Sequence, residues 1–251
     1  AKELEKDGIE VTYLKPNSNG TIYPEILESS IQENTKLVSI MYLNNELGTI
    51  NPIEDMGKIC GNHDIPFHTD AVQYIGKGKI NITDYNISTL SLGAHKFYGP
   101  KGIGALFIKR GLKLNPYVFG GGQENGYRPG TESIPLIVGM TEALKISMKN
   151  LDENDKQIKE MEKLFFSLLD KKEIKYSLNG FPRLNGFINI TFHDIDGQIL
   201  LMNLDMKGFA ISFGAACASG TAKASHAVLQ IGLDEKTAKK TVRISIGKFI
   251  T

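Results

Sequence analysis

The fold is decided by residues 36–69, which read KLVSIMYLNNELGTINPIEDMGKICGNHDIPFHT. The apolar run Lys36–Leu43 predicts a buried strand, Ile53–Asn62 predicts a helix, and Ile65–Thr69 predicts a second strand. The helix begins directly after Pro52, and proline is favoured in the first turn of helices. A strand, a helix and a strand at this spacing are typical of parallel strands joined by crossover helices.

The same alternation continues on both sides of this unit. Further strands are predicted at Ile9–Leu14, Ile87–Leu92, Ile103–Ile108, Lys175–Leu178, Gly186–Phe192, Phe209–Ser212 and Val242–Ile246. Further helices are predicted at Tyr23–Glu33, from Ser133 to about Lys172, and at Ile195–Met206. The sequence therefore predicts an α/β fold built on a mostly parallel sheet.

The pattern changes near residue 150, where helical and increasingly charged sequence replaces the alternation. The charged run at 151–160, LDENDKQIKE, is most simply a solvated helix face or a linker, and new strands follow it. We therefore predict a larger α/β domain over residues 1–150 and a smaller α+β domain over residues 151–251.

The charge balance limits the kind of partner. The 29 lysines and arginines nearly equal the 28 aspartates and glutamates, so the formal net charge is +1. Nucleic acids and anionic membranes favour a basic surplus, which argues against both as partners. No run of about 18 apolar residues is present, which argues against a membrane-spanning helix, and the charged start Ala1–Lys6 is unlike a signal peptide.

The two cysteines differ in their surroundings. Neither lies in a Cys-x-x-Cys pair, which argues against a zinc site or a disulfide framework and fits a reducing, cytoplasmic compartment. Cys60 lies on the apolar stripe of the predicted helix Ile53–Asn62, which predicts an inert core residue. Cys217 lies in the segment 212–220, SFGAACASG, whose small residues predict a loop that carries a reactive thiol.

The carboxylate of Asp70 directly follows the predicted strand Ile65–Thr69. Ligands of open α/β sheets bind at the carboxyl ends of strands, and a buried carboxylate there requires a cationic partner. The alternative is that Asp70 caps the N-terminus of a following helix, and this segment taken alone favours the cap.

A lysine follows the next strand, in the segment 91–102, which reads SLGAHKFYGPKG. An amine fixed just past a strand end among small residues can be desolvated and can react with a carbonyl group. The alternative is a surface lysine in a loop, but the pattern Gly-Ala-His-Lys-x-x-Gly-Pro-Lys-Gly favours a functional role for Lys96.

Two further segments point to anions. The glycine run at 120–122 and the segment 128–132, RPGTE, can bring backbone amides and the Thr131 hydroxyl to a phosphate, or can form a flexible hinge with equal support. Arg243 lies in the predicted strand segment 241–245, TVRIS, where its cation requires an acidic partner or an anionic ligand.

Asp70, Lys96 and Thr131 together supply the carboxylate, the amine and the phosphate contact that a pyridoxal phosphate site requires. At these residues the sequence resembles the cysteine desulfurases, which are fold-type I pyridoxal phosphate enzymes of the aminotransferase class V group. The resemblance extends over the whole chain, in the order of the family's motifs: Asn44-Asn45-Glu46-x-Gly48, His68-x-Asp70-Ala71-x-Gln73, Ala94-His95-Lys96-x-x-Gly99-Pro100-Lys101-Gly102, Gly121-Gly122-Gln123-Glu124, Arg128-x-Gly130-Thr131, the loop around Cys217, and Val242-Arg243-Ile244-Ser245-x-Gly247.

The resemblance implies the transferase-like fold of these enzymes, with helices on both faces of the sheet, and a homodimer with shared sites. It implies that Lys96 holds pyridoxal 5'-phosphate covalently and that Asp70 keeps the ring nitrogen of the cofactor protonated. It also implies contacts to the ring oxygen and to the phosphate: Asn45 and Gln73 for the first, and His95 and, from the partner subunit, Thr131 for the second.

For the reaction, the resemblance implies that Arg243, beside Asn45, binds the carboxylate of L-cysteine and that Cys217 attacks the substrate sulfur. The products would be L-alanine and a Cys217 persulfide, whose sulfur passes to an iron–sulfur scaffold or to a thiolation enzyme. The alternatives are a selenocysteine lyase or another class V lyase on the same scaffold, and a degenerate, non-catalytic homologue that serves as an assembly partner.

Departures from the family pattern are also visible. The chain has neither the early Ala-Thr-Thr segment and the Gly-x-Thr-Glu-Ser phosphate turn of the family nor its ring-stacking histidine, and it stops soon after Arg243. We therefore expect the 251 residues alone to lack desulfurase activity. Gly93 stands where many relatives carry a phosphate-binding serine, a lost contact of roughly 1–2 kcal/mol. Ala215 replaces a serine near Cys217.

Overall fold

The computed structural model describes residues 1–212 and 224–250. The larger sheet contains four strands in the order β1-β2-β3-β4: Val38–Met41 (β1), Phe67–Asp70 (β2), Thr89–Gly93 (β3) and Gly104–Ile108 (β4). Strands β1, β2 and β3 are parallel, and β4 pairs antiparallel with β3. The predicted α/β fold with a mostly parallel sheet is therefore confirmed.

Helices connect and cover the strands. They are Lys2–Lys6 (α1), Pro24–Ser30 (α2), Ile53–Asn62 (α3), Ile134–Lys149 (α4), Leu151–Lys171 (α5), Gly197–Asp205 (α6), His226–Gln230 (α7) and Glu235–Ala238 (α8), with 3-10 helices at Ala94–Phe97 and Gln123–Gly126. Within the two described ranges, no helix is both long enough and apolar enough to cross a membrane.

Helix α3 illustrates how the sequence pattern produces the packing. Its apolar residues Ile53, Met56 and Cys60 recur at helical spacing and are buried in the same apolar cluster as Phe67 of β2. The bounds of this helix and the core position of Cys60 are as predicted. Burial raises the pKa of the Cys60 thiol to about 11, so the thiol stays protonated and unreactive at neutral pH.

A second sheet follows residue 150. It is antiparallel, in the order β5-β6-β7, and consists of Tyr176–Asn179 (β5), Phe187–Phe192 (β6) and Thr241–Ser245 (β7). Ile188, Ile190 and Val242 are fully buried in its apolar cluster. The charged run at 151–160 lies in α5, so the run belongs to a helix and is not an extended linker.

The predicted strands at Ile9–Leu14 and Phe209–Ser212 are wrong. The first segment forms no strand, and Tyr13 within it is 54% exposed. The second contributes only a single bridge, between Ser212 and Arg243. Both segments are rich in apolar residues, but a strand forms only where the backbone groups of a neighbour pair along it, and the hydrophobic pattern does not contain that information.

Candidate active site

The larger sheet brings the predicted carboxylate and amine to the same end of its strands. Asp70 is the last residue of β2, and β3 leads directly into the 3-10 helix Ala94–Phe97, which carries Lys96. Strands β2 and β3 are parallel, with Asp70 opposite Ser91, so both functional groups follow the carboxyl ends of neighbouring strands. Ligands of parallel sheets bind at the carboxyl ends of the strands.

The carboxylate of Asp70 is oriented by the main chain. The Asp70 Oδ1 accepts a hydrogen bond from the Val72 amide at 2.9 Å. The main-chain carbonyl oxygen of Asp70 accepts one from the Tyr42 amide at 2.8 Å. A turn follows β2, so the alternative of a helix N-cap is wrong, and the side chain instead stabilises a turn. The half-buried carboxylate is therefore held at the carboxyl end of β2.

Lys96 lies in a closed turn with buried neighbours. Ala94 and Phe97 are buried and Lys96 is half-buried, which does not fit the alternative of an exposed loop lysine. The Gly99 amide donates to the Ala94 carbonyl at 2.9 Å, and Tyr98 ends the 3-10 helix in the left-handed region at a φ of 66°. The backbone that carries the amine is therefore well ordered by local contacts.

Gly93 and His95 lie just before this amine. Gly93 is buried in extended backbone, and His95 is exposed. A Cβ added at Gly93 would lie 3.4 Å from His95 Cε1 and 3.6 Å from Val72 Cγ1, which are ordinary van der Waals distances. The serine of the family pattern would therefore fit at position 93, and crowding is not the reason for its absence.

Arg243 and Asn45 meet although they lie 198 positions apart in the chain. Arg243 extends from β7, and its Nη1 donates to the Asn45 carbonyl at 3.1 Å while its Nη2 donates to Ser212 Oγ at 3.3 Å. The Asn45 turn is itself ordered by Asn44, whose Oδ1 accepts from the Glu46 amide at 2.9 Å. The structure thus brings together the two residues predicted to contact the substrate.

Gln73 and Thr131 differ in their exposure. Gln73 is half-buried in the turn after β2, whereas Thr131 is exposed in the segment before α4. The glycine-rich segment beside Thr131 is held by Gln123, whose Oε1 accepts from the Gly130 amide at 3.2 Å. Cys217 lies outside the described residues.

His68 lies on the same face of β2 as Asp70 and connects three strands. Ser39 Oγ of β1 lies 2.8 Å from His68 Nδ1, and Ser91 Oγ of β3 lies 3.0 Å from His68 Nε2. Burial lowers the pKa of His68, against the opposing effect of the Asp70 carboxylate, so the ring is neutral at pH 7. The sequence signal for His68 is its spacing, since residues two apart in a strand share a face and His68 lies two positions before Asp70.

Lys77 is a second residue near Asp70 and Lys96 whose role the sequence pattern does not reveal. Its Nζ donates to the Gln73 carbonyl at 2.9 Å and to the Lys96 carbonyl at 2.7 Å. Burial and, to a smaller extent, the positive charge of Lys96 lower the pKa of Lys77 to about 8. The only sequence signal was the position of this lysine between Gly76 and Gly78, and its burial depends on tertiary packing that the sequence pattern does not reveal.

The whole chain matches one known protein family. The sequence profile described as "Aminotransferase class-V" matches residues 1–251. This chain belongs to the aminotransferase class V family. A class V relative, cysteine desulfurase IscS of Clostridium botulinum, is 43% identical over 251 residues, which are 98% of this chain and 63% of that protein. The chain therefore spans just under two thirds of the length of this curated relative.

Solved structures that resemble this class V chain share its fold. A "NifS-like protein" aligns with a TM-score of 0.90 and 33% identity, over 100% of this chain and 66% of the other. The structure described as "SspA in complex with cysteine" aligns with a TM-score of 0.86 and 38% identity, over 100% of this chain and 70% of the other. The predicted transferase-like fold of class V enzymes is therefore confirmed.

Class V enzymes use pyridoxal 5'-phosphate, and the described residues fit this cofactor. The Asp70 carboxylate is oriented by the Val72 amide, and the Lys96 amine follows the neighbouring strand end. An acid for the ring nitrogen and an amine for covalent attachment are what the cofactor requires of its site.

Proposed function

We propose that the protein is a pyridoxal phosphate-dependent cysteine desulfurase that converts L-cysteine to L-alanine and leaves the sulfur as a persulfide on Cys217. The observation that carries the proposal is the arrangement of Asp70 and Lys96 on the carboxyl ends of adjacent parallel strands. The meeting of Arg243 and Asn45 gives it a substrate contact. The similarity to proteins named as cysteine desulfurases supports this function over a selenocysteine lyase.

In this proposal, the described residues bind and orient the cofactor. When bound, pyridoxal phosphate withdraws electrons from the substrate carbon that is bonded to its imine nitrogen. Asp70 would hold a proton on the ring nitrogen, and the Lys96 amine would bind the cofactor covalently. The remaining contacts would come from Asn45 and Gln73 to the ring oxygen, and from His95 and Thr131 to the phosphate.

Arg243 would fix the substrate by its carboxylate. A guanidinium binds a carboxylate through two parallel N–H···O bonds, which orients as well as attracts it. The contacts from Arg243 to the Asn45 carbonyl and to Ser212 Oγ support this role, because they hold the guanidinium plane in one orientation. With the carboxylate fixed, the substrate sulfur has a defined position relative to the protein.

Cys217 would accept the sulfur. Its thiolate attacks the sulfur of L-cysteine, an S–S bond forms as the C–S bond breaks, and the substrate carbon receives a proton. The thiol of Cys217 and L-cysteine together contain all the atoms of the persulfide and L-alanine, so the step needs no external oxidant. A second protein, either an iron–sulfur scaffold or a thiolation enzyme, would then take the sulfur.

The proposal includes a homodimer in the cytoplasm, in which Thr131 reaches the phosphate of the partner subunit's site. Exposed apolar side chains near this residue in the sequence support a second copy as the partner: Ile134 and Val138 on α4 are 62% and 61% exposed, and Tyr117 and Phe119 are 97% and 85% exposed.

The two separate sheets on either side of residue 150 support the proposed division into domains 1–150 and 151–251.

The test compares the two cysteines in the full-length protein. Alanine formation from L-cysteine and the mass of the Cys217 peptide are measured for the wild type, for Cys217→Ala and for the matched control Cys60→Ala. We expect Cys217→Ala to form no alanine and no persulfide, and Cys60→Ala to retain both, because Cys60 is buried in α3. Full activity of Cys217→Ala on L-cysteine would contradict the proposal. Activity of the wild type on selenocysteine but not on L-cysteine would favour the lyase.

A further inference from the structure

Lys77 connects the two turns that carry the cofactor residues. Its Nζ donates to the Gln73 carbonyl, four positions back in the chain, at 2.9 Å. The same Nζ donates to the Lys96 carbonyl, 19 positions ahead, at 2.7 Å. One side chain thus joins the backbone of the turn after Asp70 to the backbone that carries the amine.

The surroundings of this lysine are unfavourable for an ammonium group. Lys77 is half-buried, and its cation–π contact with the Phe187 ring, whose centroid lies 5.9 Å from Nζ, offsets only part of the cost of burial. Lysines are almost always exposed unless they are paired, because burial of a charge is costly. Burial and the charge of Lys96 lower the pKa of Lys77 to about 8. A role in stability alone would be served as well by an apolar side chain, which carries none of this cost.

The two turns are also in direct contact. Gly76 has a φ of +79°, and a Cβ added there would lie only 2.5 Å from Phe97 Cβ. Helix α4 packs against the same place, since the added Cβ would also lie 3.3 Å from Ser147 Cβ and Ser147 Oγ donates to the Phe97 carbonyl at 3.2 Å. Gly76, Phe97 and Ser147 therefore meet, and Lys77 adds a polar contact between the two turns.

We propose that Lys77 is a positioning residue that fixes the Lys96 backbone against the turn after Asp70, so that the amine and the carboxylate face one cofactor. The inference rests on the proposed function for its consequence in catalysis, and on the geometry of the described residues for the positioning itself. A neutral amine still carries two N–H donors, so both carbonyl contacts survive deprotonation of Lys77.

The chain offers well-matched variants. Lys77→Met keeps a similar length and removes both donors, and Lys77→Arg retains donors. Lys79→Met makes the same chemical change two positions away on an exposed side chain, which forms only a solvated ion pair with Asp152 at 3.8 Å. The sequence of the Lys96 turn is unchanged in all three variants, so its peptides can be compared directly.

The experiment has one readout without cofactor and one with it, both on the full-length protein. Hydrogen exchange of the cofactor-free protein is followed in peptides that cover residues 92–101. Covalent capture of added pyridoxal phosphate is then timed by borohydride reduction and by the mass of the Lys96 peptide. For Lys77→Met we expect exchange in this turn to be roughly tenfold faster and capture by Lys96 to be roughly tenfold slower, because both hydrogen bonds from Nζ are lost.

The controls should separate positioning from stability. We expect Lys79→Met to behave as the wild type and Lys77→Arg to recover most of the capture rate. Equal exchange or equal capture in Lys77→Met and Lys79→Met would overturn the inference, as would faster exchange of Lys77→Met spread uniformly over both sheets. If the wild type captures no cofactor at Lys96, the proposed function fails, whereas the exchange measurement still decides whether Lys77 orders the turn.

Discussion

The parallel and antiparallel sheets present their functional side chains in different ways. In the parallel sheet, Asp70 and Lys96 follow the ends of β2 and β3, so their positions depend on turns. In the antiparallel sheet, Arg243 lies within β7 opposite Asn189, so its position depends on strand register. A shift of one residue in that register would turn Arg243 to the other face of the sheet, away from Asn45.

The buried polar groups of the antiparallel sheet are connected to one another. Asn179 Nδ2 donates to Asn189 Oδ1 at 2.8 Å and to Thr191 Oγ1 at 2.9 Å, and Thr191 Oγ1 lies 2.7 Å from Thr241 Oγ1. Asn189 Nδ2 donates onward to the Glu46 carbonyl at 3.3 Å. This network supports the register of the antiparallel sheet. In the parallel sheet, His68 connects Ser39 and Ser91 across three strands, while the Asp70 carboxylate is held locally by the Val72 amide.

The largest effect should come from a strand end of the parallel sheet. In Asp70→Asn, the amide oxygen can still accept from the Val72 amide, so the turn survives, but the side chain no longer favours a proton on the ring nitrogen. We expect alanine formation by the full-length protein to fall by about 100-fold or more. Asp84→Asn, on an exposed aspartate, is the control. Unchanged turnover in Asp70→Asn would remove the carboxylate from the mechanism.

A smaller effect is expected from the antiparallel sheet. Arg243→Lys keeps the charge but loses the bidentate geometry, so kcat/KM for L-cysteine should fall by about 10- to 100-fold. Binding of pyridoxal phosphate, measured by its absorbance, should remain unchanged, because Arg243 lies in β7 and not in the parallel sheet whose strand ends carry Asp70 and Lys96. An equal loss of cofactor binding would show that the two sheets do not divide these roles.

The buried network should affect stability more than chemistry. Asn179→Ala removes the hydrogen bond to the buried Asn189 Oδ1 and one of the contacts of Thr191 Oγ1, so the free energy of unfolding should fall by about 1–3 kcal/mol. Ser177→Ala removes an exposed hydrogen bond to His193 from the same strand and should cost less than about 0.5 kcal/mol. Denaturant unfolding of both variants measures the difference, and equal losses would contradict a role of the network.

The smallest effect is expected at Gly93. The free energy of unfolding of Gly93→Ser should stay within about 0.5 kcal/mol of the wild type, because the added Cβ meets only ordinary contacts. Its hydroxyl could supply the missing phosphate contact, so the Kd of pyridoxal phosphate should fall by about fivefold. Titration of the cofactor-free protein measures this Kd, and weaker binding would mean that the phosphate lies elsewhere.

Local patterns in the sequence were sufficient for the elements that decide the fold. Helix α3 has its predicted bounds because Ile53, Met56 and Cys60 recur at helical spacing along one face. The segment Ile9–Leu14 was mispredicted because its apolar composition does not identify a pairing strand. The alternative of a helix cap at Asp70 was wrong for a related reason, since an aspartate stabilises turns and helix starts through the same contact.

Most of the contacts that the sequence did not reveal join residues far apart in the chain. Lys77 Nζ donates to the Lys96 carbonyl 19 positions away, and Arg243 Nη1 donates to the Asn45 carbonyl 198 positions away. No periodicity or spacing rule connects such positions, because tertiary packing creates the contact. The resemblance to a family identified Arg243 and Asn45, but it contained no signal for Lys77.

The central claim is that Asp70 and Lys96 act on one cofactor from adjacent strand ends. A crystal structure of the full-length protein with pyridoxal 5'-phosphate tests it most directly. The account predicts electron density that joins the cofactor to Lys96 Nζ, with a carboxylate oxygen of Asp70 within hydrogen-bond distance of the ring nitrogen. A cofactor joined to another lysine, or a ring nitrogen that faces away from Asp70, would contradict it.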